Sequence, residues 1–219
     1  MRTAALALAL CVPALLPAQR VQVSVTGMVA GPRSTEILGD SREAAGGLWL
    51  GGAVGARYER FTLEASGLRG RLVPITSTSV ERDEGQVTVV LGFDPQPGLG
   101  VEATYTARAF SSGVGYQRWN TFGVGGRVAL ELGDPSLHAY GRVAYLPVVE
   151  IRGQDRARLG LAAEIGATLA VPRSRLLLEV HYRFERYDFT NRLAEFDLIT
   201  LRVRYAIPLP GSPPGPDTR

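Results

Sequence analysis

The chain has 219 residues with 24 basic and 21 acidic side chains, a formal charge of +3, and the basic residues are spread along it rather than clustered. A balance this close to neutral excludes the electrostatic footprint of a nucleic-acid-binding domain. The single cysteine, Cys11, lies in the amino-terminal apolar stretch, so the rest of the chain has neither a disulfide framework nor thiolate chemistry.

The first element is a targeting segment. Met1 and Arg2 supply a short positive region, residues 4–16 are apolar, and Leu16-Pro17-Ala18 ends in the small residue that a signal peptidase accepts, which predicts a signal peptide over 1–18. A membrane anchor fits less well, because Pro13 and Pro17 interrupt an apolar run already shorter than the roughly 20 residues of a spanning helix. A lipoprotein acylated at Cys11 would need a small residue where Leu10 stands.

From Val21 onward the hydrophobic period is two. It is short or weak over 21–30, 48–58, 61–66 and 86–93, then clear where Leu99, Val101, Ala103 and Tyr105 alternate with Glu102, Thr104 and Thr106. Segments 121–132 and 137–147 follow, and Leu159, Leu161, Ile165, Leu169 and Val171 oppose Gly160, Glu164, Gly166 and Thr168. Leu176, Leu178, Val180, Tyr182 and Phe184 share one face while Glu179, His181, Arg183 and Glu185 share the other, and Ile199, Leu201, Val203, Tyr205 and Ile207 oppose Thr200, Arg202 and Arg204. No segment has a helical period. The class is all-β, with about ten strands, many near the length that a tilted membrane-crossing strand requires.

The connections separate architectures. Polar links over 31–47, 71–85, 111–117, 149–156 and 187–195 read as long loops, and they alternate with tight turns at 58–60, 94–98, 133–136 and 172–174. That alternation gathers the long links at one end of a barrel. A soluble barrel of the lipocalin kind, with its apolar set inside and a periplasmic binding role, is the competing reading. Against it, the polar set is crowded with small residues (Gly51, Ala53 and Gly55; Gly123, Gly125 and Ala129; Gly160, Ala162 and Gly166), which suits a crowded lumen. Aromatic residues of the apolar face fall near strand ends, as two interfacial girdles would: Tyr58, Phe61, Phe93 and Tyr205 on one side, Tyr105, Phe122, Tyr145, Tyr182 and Phe184 on the other. The polar face of 21–30 also carries no charge.

With the targeting segment, the alternating strands and the loop pattern, the chain resembles the small bacterial outer-membrane β-barrel superfamily from Val21 to Leu209, in architecture rather than through a signature motif. The resemblance implies a closed antiparallel up-and-down transmembrane β-barrel over 19–208, of about ten strands with eight as the alternative. It also implies location in the outer membrane, contact with outer-membrane lipid and lipopolysaccharide, and insertion by the barrel-assembly machinery. Many members end on an aromatic residue, whereas here Tyr205-Ala206-Ile207 is followed by a Pro-rich tail over 209–219 that reads as disordered. Tyr205-Ala206-Ile207 would then act as an internal insertion signal.

Function rests on the charges expected to point inward: Arg57, Glu64, Glu102, Arg108, Arg127, Arg142, Glu164, Glu179, His181, Arg183, Arg202 and Arg204. In a narrow lumen such groups neutralise one another across strands, with Glu102 facing Arg127 and Glu179 facing Arg202 or Arg204. A plug of ion pairs is the plain reading; a narrow pore or small-solute or lipid channel is the alternative. Catalysis has little to build on. His138 stands beside the turn at 134–136, and His138-Ala139-Tyr140 and His181-Tyr182-Arg183 lack the His-x-Ser pairing of outer-membrane lipid A deacylases. The acidic residues Glu81, Asp83 and Glu84 have no histidine near them in sequence, unlike the acidic and His-Asp pairs of the ten-stranded omptin proteases. Two distant histidines predict no metal site, and no cofactor is expected. Glu81-Arg82-Asp83-Glu84 reads as a solvated loop, and 123–126 as strand glycines rather than a phosphate loop. The long links over 31–47 and 71–85 are candidates for contact with an extracellular ligand.

Overall fold

A computed structural model describes residues 21–77, 79–112, 115–152 and 156–208. The segment read as a signal peptide and the Pro-rich stretch from Leu209 lie outside the described residues.

The described chain is ten strands: β1 (Val21–Leu38), β2 (Ser41–Tyr58), β3 (Phe61–Pro74), β4 (Arg82–Gln96), β5 (Leu99–Ser112), β6 (Gly115–Glu131), β7 (Leu137–Ile151), β8 (Leu159–Ala170), β9 (Leu176–Asp188) and β10 (Leu193–Ile207). Each pairs antiparallel with its sequence neighbours, and β1 closes on β10 from Val23 opposite Ile207 to Ile37 opposite Leu193. Closure leaves no sheet edge, so every strand finds its backbone partners within the sheet.

One rim holds both ends of the barrel and four tight turns; this terminal rim is held by left-handed residues at Glu59, Gly98, Gly133 and Arg173. In the turn before β7, the Ser136 amide and hydroxyl both donate to Asp134 Oδ1 at 2.8 Å and hold that carboxyl below its ordinary pKa.

The outward face is apolar over a broad belt. Val143 and Ile165 are 66% and 65% exposed, and Leu50, Leu63, Val101, Ile199 and Leu201 are likewise open. In water each such side chain would forgo about 1.5–3 kcal/mol of burial, so this exterior belongs in lipid and the soluble-barrel reading falls. The two aromatic girdles face outward. Phe61 and Phe93 pack 5.0 Å apart near the terminal rim, and nearer the far rim the Tyr105 hydroxyl donates to Asn120 and the Tyr182 hydroxyl to Asp197, as interfacial tyrosines do.

The polar links are shorter as loops than their polarity suggests, because strands extend into them. Over 31–47 the chain continues as β1 and β2 and reverses in a two-residue turn, Gly39–Asp40, with Gly39 at φ 58°. β3 and β4 extend into 71–85, β5 and β6 into 111–117, β7 into 149–156, and β9 and β10 into 187–195, while 75–81 stays a connection between β3 and β4. Beyond the belt the outside of the barrel is water, so the alternation inverts: Arg33, Arg71, Asp83, Arg186 and Glu195 face out, and apolar residues face in. Polarity alone therefore reads much of this β collar as loops. On β7 the extra residues Leu146-Pro147 form a bulge opposite Gly123, and the strand runs on past Pro147 to bury Val149 and Ile151.

The collar's interior is a core. Met28, Ala30, Ala45, Trp49, Leu68, Leu72, Phe196 and Leu198 form one cluster; Phe110, Trp119, Leu146, Val149, Ile151, Tyr187 and Phe189 belong to a second. Trp49 is fully buried and lies 5.6 Å from the Phe196 ring, while Trp119 meets Phe110, Tyr187 and Phe189 edge-on at 5.5–5.9 Å. Trp49→Ala should destabilise the barrel by about 3–5 kcal/mol. The expected readout is a lower urea midpoint for loss of the fast-migrating, unboiled gel band; an unchanged midpoint would show that the collar core does not support the fold.

Candidate functional site in the lumen

The inward positions of the strands form one column of polar side chains below the apolar collar. Every residue predicted for the lumen lies on an inward position, set by strand parity: Arg57 on β2, Glu64 on β3, Glu102 and Arg108 on β5, Arg127 on β6, Arg142 on β7, Glu164 on β8, Glu179, His181 and Arg183 on β9, and Arg202 and Arg204 on β10.

Most of them join a ladder of alternating charge. Arg57 pairs with Asp94 at 3.5 Å, Asp94 with Arg127 at 2.6 Å, Arg127 with Glu102 at 3.6 Å and Glu102 with Arg142 at 3.0 Å. The ladder climbs on from Arg142 to Glu164 at 3.5 Å, from Glu164 to Arg183 at 3.5 Å, from Arg183 to Glu185 at 2.7 Å, from Glu185 to Arg108 at 2.9 Å and from Arg108 to Glu84 at 3.4 Å. Five guanidiniums thus alternate with five carboxyl groups from the terminal rim to the collar, where burial pushes the pKa of the topmost, Glu84, up to about 8. Arg57 is 54% exposed at the bottom and Arg108 4% at the top, so the cost of an unpaired charge rises along the ladder.

A second group crosses the lumen. Glu64 accepts from Arg202 at 2.6 Å and Arg204 at 3.0 Å, tying β3 to β10 across two intervening strands. Glu179 faces the same two arginines at 3.4 and 3.6 Å, accepts from the Tyr140 hydroxyl at 2.8 Å, and lies 3.3 Å from His181 Nδ1. Gly166 makes room for this arrangement: a β-carbon there would come within 2.7 Å of the Tyr140 ring.

Sequence reasoning missed Asp94, Glu84, Glu185, Tyr140, and Tyr187, whose hydroxyl donates to Glu185 at 2.5 Å. Glu84 was placed in a solvated loop, yet it lies on β4 at the collar and is 1% exposed. The signal is in the sequence, since Glu84 and Asp94 share even-numbered parity with Gln86 and Thr88, but the apolar alternation that marks the strand covers only 86–93 of β4. Glu185 stood on the predicted polar face of β9 without being singled out.

At the top, Arg108 also donates to Gln86 at 2.7 Å and lies 3.7 Å from the Phe196 ring centroid, so the charged column ends against the apolar core. At the bottom, a cavity of about 790 Å³ opens on the terminal rim. Six arginines and five carboxylates line it, among them Arg60, Arg127, Glu64 and Asp94, so it has no strong preference for either sign of charge. His138 lines this cavity, 3.9 Å from Glu131. No group of three or more His, Cys, Asp or Glu positioned to hold a metal ion occurs among the described residues.

No protein-family model matches the chain, and no curated relative matches it. Solved structures do. The outer membrane protease OmpT from Escherichia coli is similar at a TM-score of 0.55 and 13% identity, over 86% of this chain and 97% of that one. The translocator domain of the autotransporter NalP from Neisseria meningitidis follows at 0.48 and 13%, covering 84% and 88% of the two chains, and an outer membrane channel from Pseudomonas putida F1 at 0.45 and 12%, covering 88% and 97%. The likeness to the protease is one of fold. With the apolar exterior, it makes this chain a transmembrane barrel of the bacterial outer-membrane type.

Two outcomes test the ladder. Arg108→Met strands Glu84 and Glu185 in the collar and should cost about 3–5 kcal/mol in urea unfolding, much of it recovered when both carboxylates are also changed to Gln; no cost would remove the top of the ladder. Lower down, double-mutant cycles should give a coupling within about 0.5–3 kcal/mol for Asp94–Arg127 and a smaller one for Glu102–Arg127, following the 2.6 and 3.6 Å separations.

Proposed function

We propose that this chain is a closed, non-conducting outer-membrane barrel with a structural or surface-interaction role. The observation that carries the reading is the collar core: Trp49, Leu72, Val149 and Tyr187 are each at most 2% exposed, and they lie where a water path would have to pass. The cavity beneath is open on the periplasmic side and capped by that core, so it serves neither as a pore nor as a lipid conduit without rearrangement. The ladder is a plug and a cross-brace, stitching β2, β4, β5, β6, β7, β8 and β9 together by charge.

A non-catalytic role is supported by where the histidines sit. His181 is in the middle of the lumen among Glu179 and the arginines, and His138 is at the periplasmic rim, so neither reaches the extracellular collar where a surface substrate would arrive. The collar itself is rigid and mixed in charge, with outward Arg71 held by Glu81 at 2.9 Å and Asp83 at 3.2 Å, which suits presentation of a fixed surface to a partner. Outward Tyr205 near the end of β10 remains available as the signal read by the assembly machinery.

Planar-bilayer recording tests the closed state. The purified barrel should insert without opening steady channels at either polarity, and Trp49→Ala combined with Phe196→Ala should open short-lived ones; steady conductance from the unmodified chain would overturn the proposal.

A further inference from the structure

The outer wall of the barrel carries a groove of about 580 Å³ that the luminal architecture does not use. It crosses β2 to β6 at the top of the apolar belt. Its floor is outward Gly67, Gly85, Ala107 and Ala109, and Leu50, Val87 and Tyr116 stand around it.

The floor glycines have no internal reason to be glycine. Neither adopts a left-handed backbone, and a β-carbon at Gly67 or Gly85 would meet nothing closer than 3.9 Å. Elsewhere in this barrel glycine is demanded by packing, as at Gly166 against Tyr140. At these two positions the missing side chain faces outward and only deepens the groove.

The register adds two cations. In one row across the sheet, Arg69 pairs with Gly85, Gly85 with Ala109 and Ala109 with Arg118. Arg69 and Arg118 therefore flank the floor three strand spacings apart, roughly 14 Å between Cα atoms, a span that two long side chains leaning inward can close around one anionic group. Both are exposed, and neither has an ion pair or side-chain hydrogen bond among the described residues, whereas nearby Arg71 and Arg156 are each matched by carboxylates.

We infer that this groove binds a phosphorylated acyl lipid of the outer leaflet, with an acyl chain along the glycine–alanine floor and phosphate between Arg69 and Arg118. A soluble anion would leave the apolar floor unused. A second copy of the barrel docking there about a two-fold axis would bring like charges together. A lipid presents apolar chain and anionic head at this height, and guanidinium matches phosphate in a bidentate manner. The inference rests on the membrane reading and names a lipid partner and its site.

The test uses the full barrel, refolded in a nonionic detergent, with lipopolysaccharide as the probe and native mass spectrometry as the readout. Intact lipopolysaccharide should bind the unmodified barrel; the dephosphorylated form and the deacylated phosphorylated saccharide should each bind at least tenfold more weakly. Arg69→Gln with Arg118→Gln should weaken binding of the intact probe at least tenfold, and so should Gly67→Leu with Gly85→Leu, which fills the floor. Heat-modifiable migration reports separately whether each barrel is folded; if the filled variant does not fold, the arginine pair alone decides. Unchanged binding by folded variants, equal binding of the deacylated saccharide, or a dimer that excludes the probe would overturn the proposal. Loss of heat-modifiability in the unmodified chain would instead overturn the membrane reading beneath it.

Discussion

The pairing of β1 with β10 is the constraint on which the rest depends. Hydrocarbon cannot satisfy backbone amides and carbonyls, so a sheet that crosses it must close on itself. Closing ten strands encloses a lumen too wide to be filled by backbone and small side chains, and too narrow for most of its inward charges to remain solvated. Both the charge ladder and the collar core are consequences of having to fill that space.

The two fillings differ because their surroundings differ. Within the membrane the outward face must be apolar, so polarity is left to the inward face, and buried charges persist there only by neutralising one another. Each carboxylate from Asp94 to Glu185 lies between two guanidiniums, which spreads the cost of desolvation along the column. Above the membrane the outward face meets water, and the lumen reverts to the tryptophan-centred packing of a soluble core. Arg108 joins the regimes, paired with Glu185 on one side and lying over Phe196 on the other.

This division bears on function. A barrel whose collar is packed and whose cavity lies at the terminal rim has its accessible chemistry on its surfaces: the collar edge, the belt with its glycine-floored groove, and the rim cavity. The likeness to a protease is one of fold and carries no activity with it, since fold and site are separable.

The sequence by itself determined the all-β class, a strand count of about ten with eight as the alternative, and which residues of the central strands face in, because a period of two assigns each side chain to one of two faces and the membrane makes one of them apolar. It also set Glu102 opposite Arg127 and Glu179 opposite Arg202 or Arg204; in the barrel Glu179 faces both. Only the tertiary structure decided where the strands stop. Polar segments such as 31–47 look like loops locally and are strands because neighbouring strands pair with them. The structure alone also brought Asp94, Glu84 and Glu185 into the ladder and joined Glu64 to Arg202 across 138 residues of chain, since register and closure are non-local and leave no mark on local periodicity.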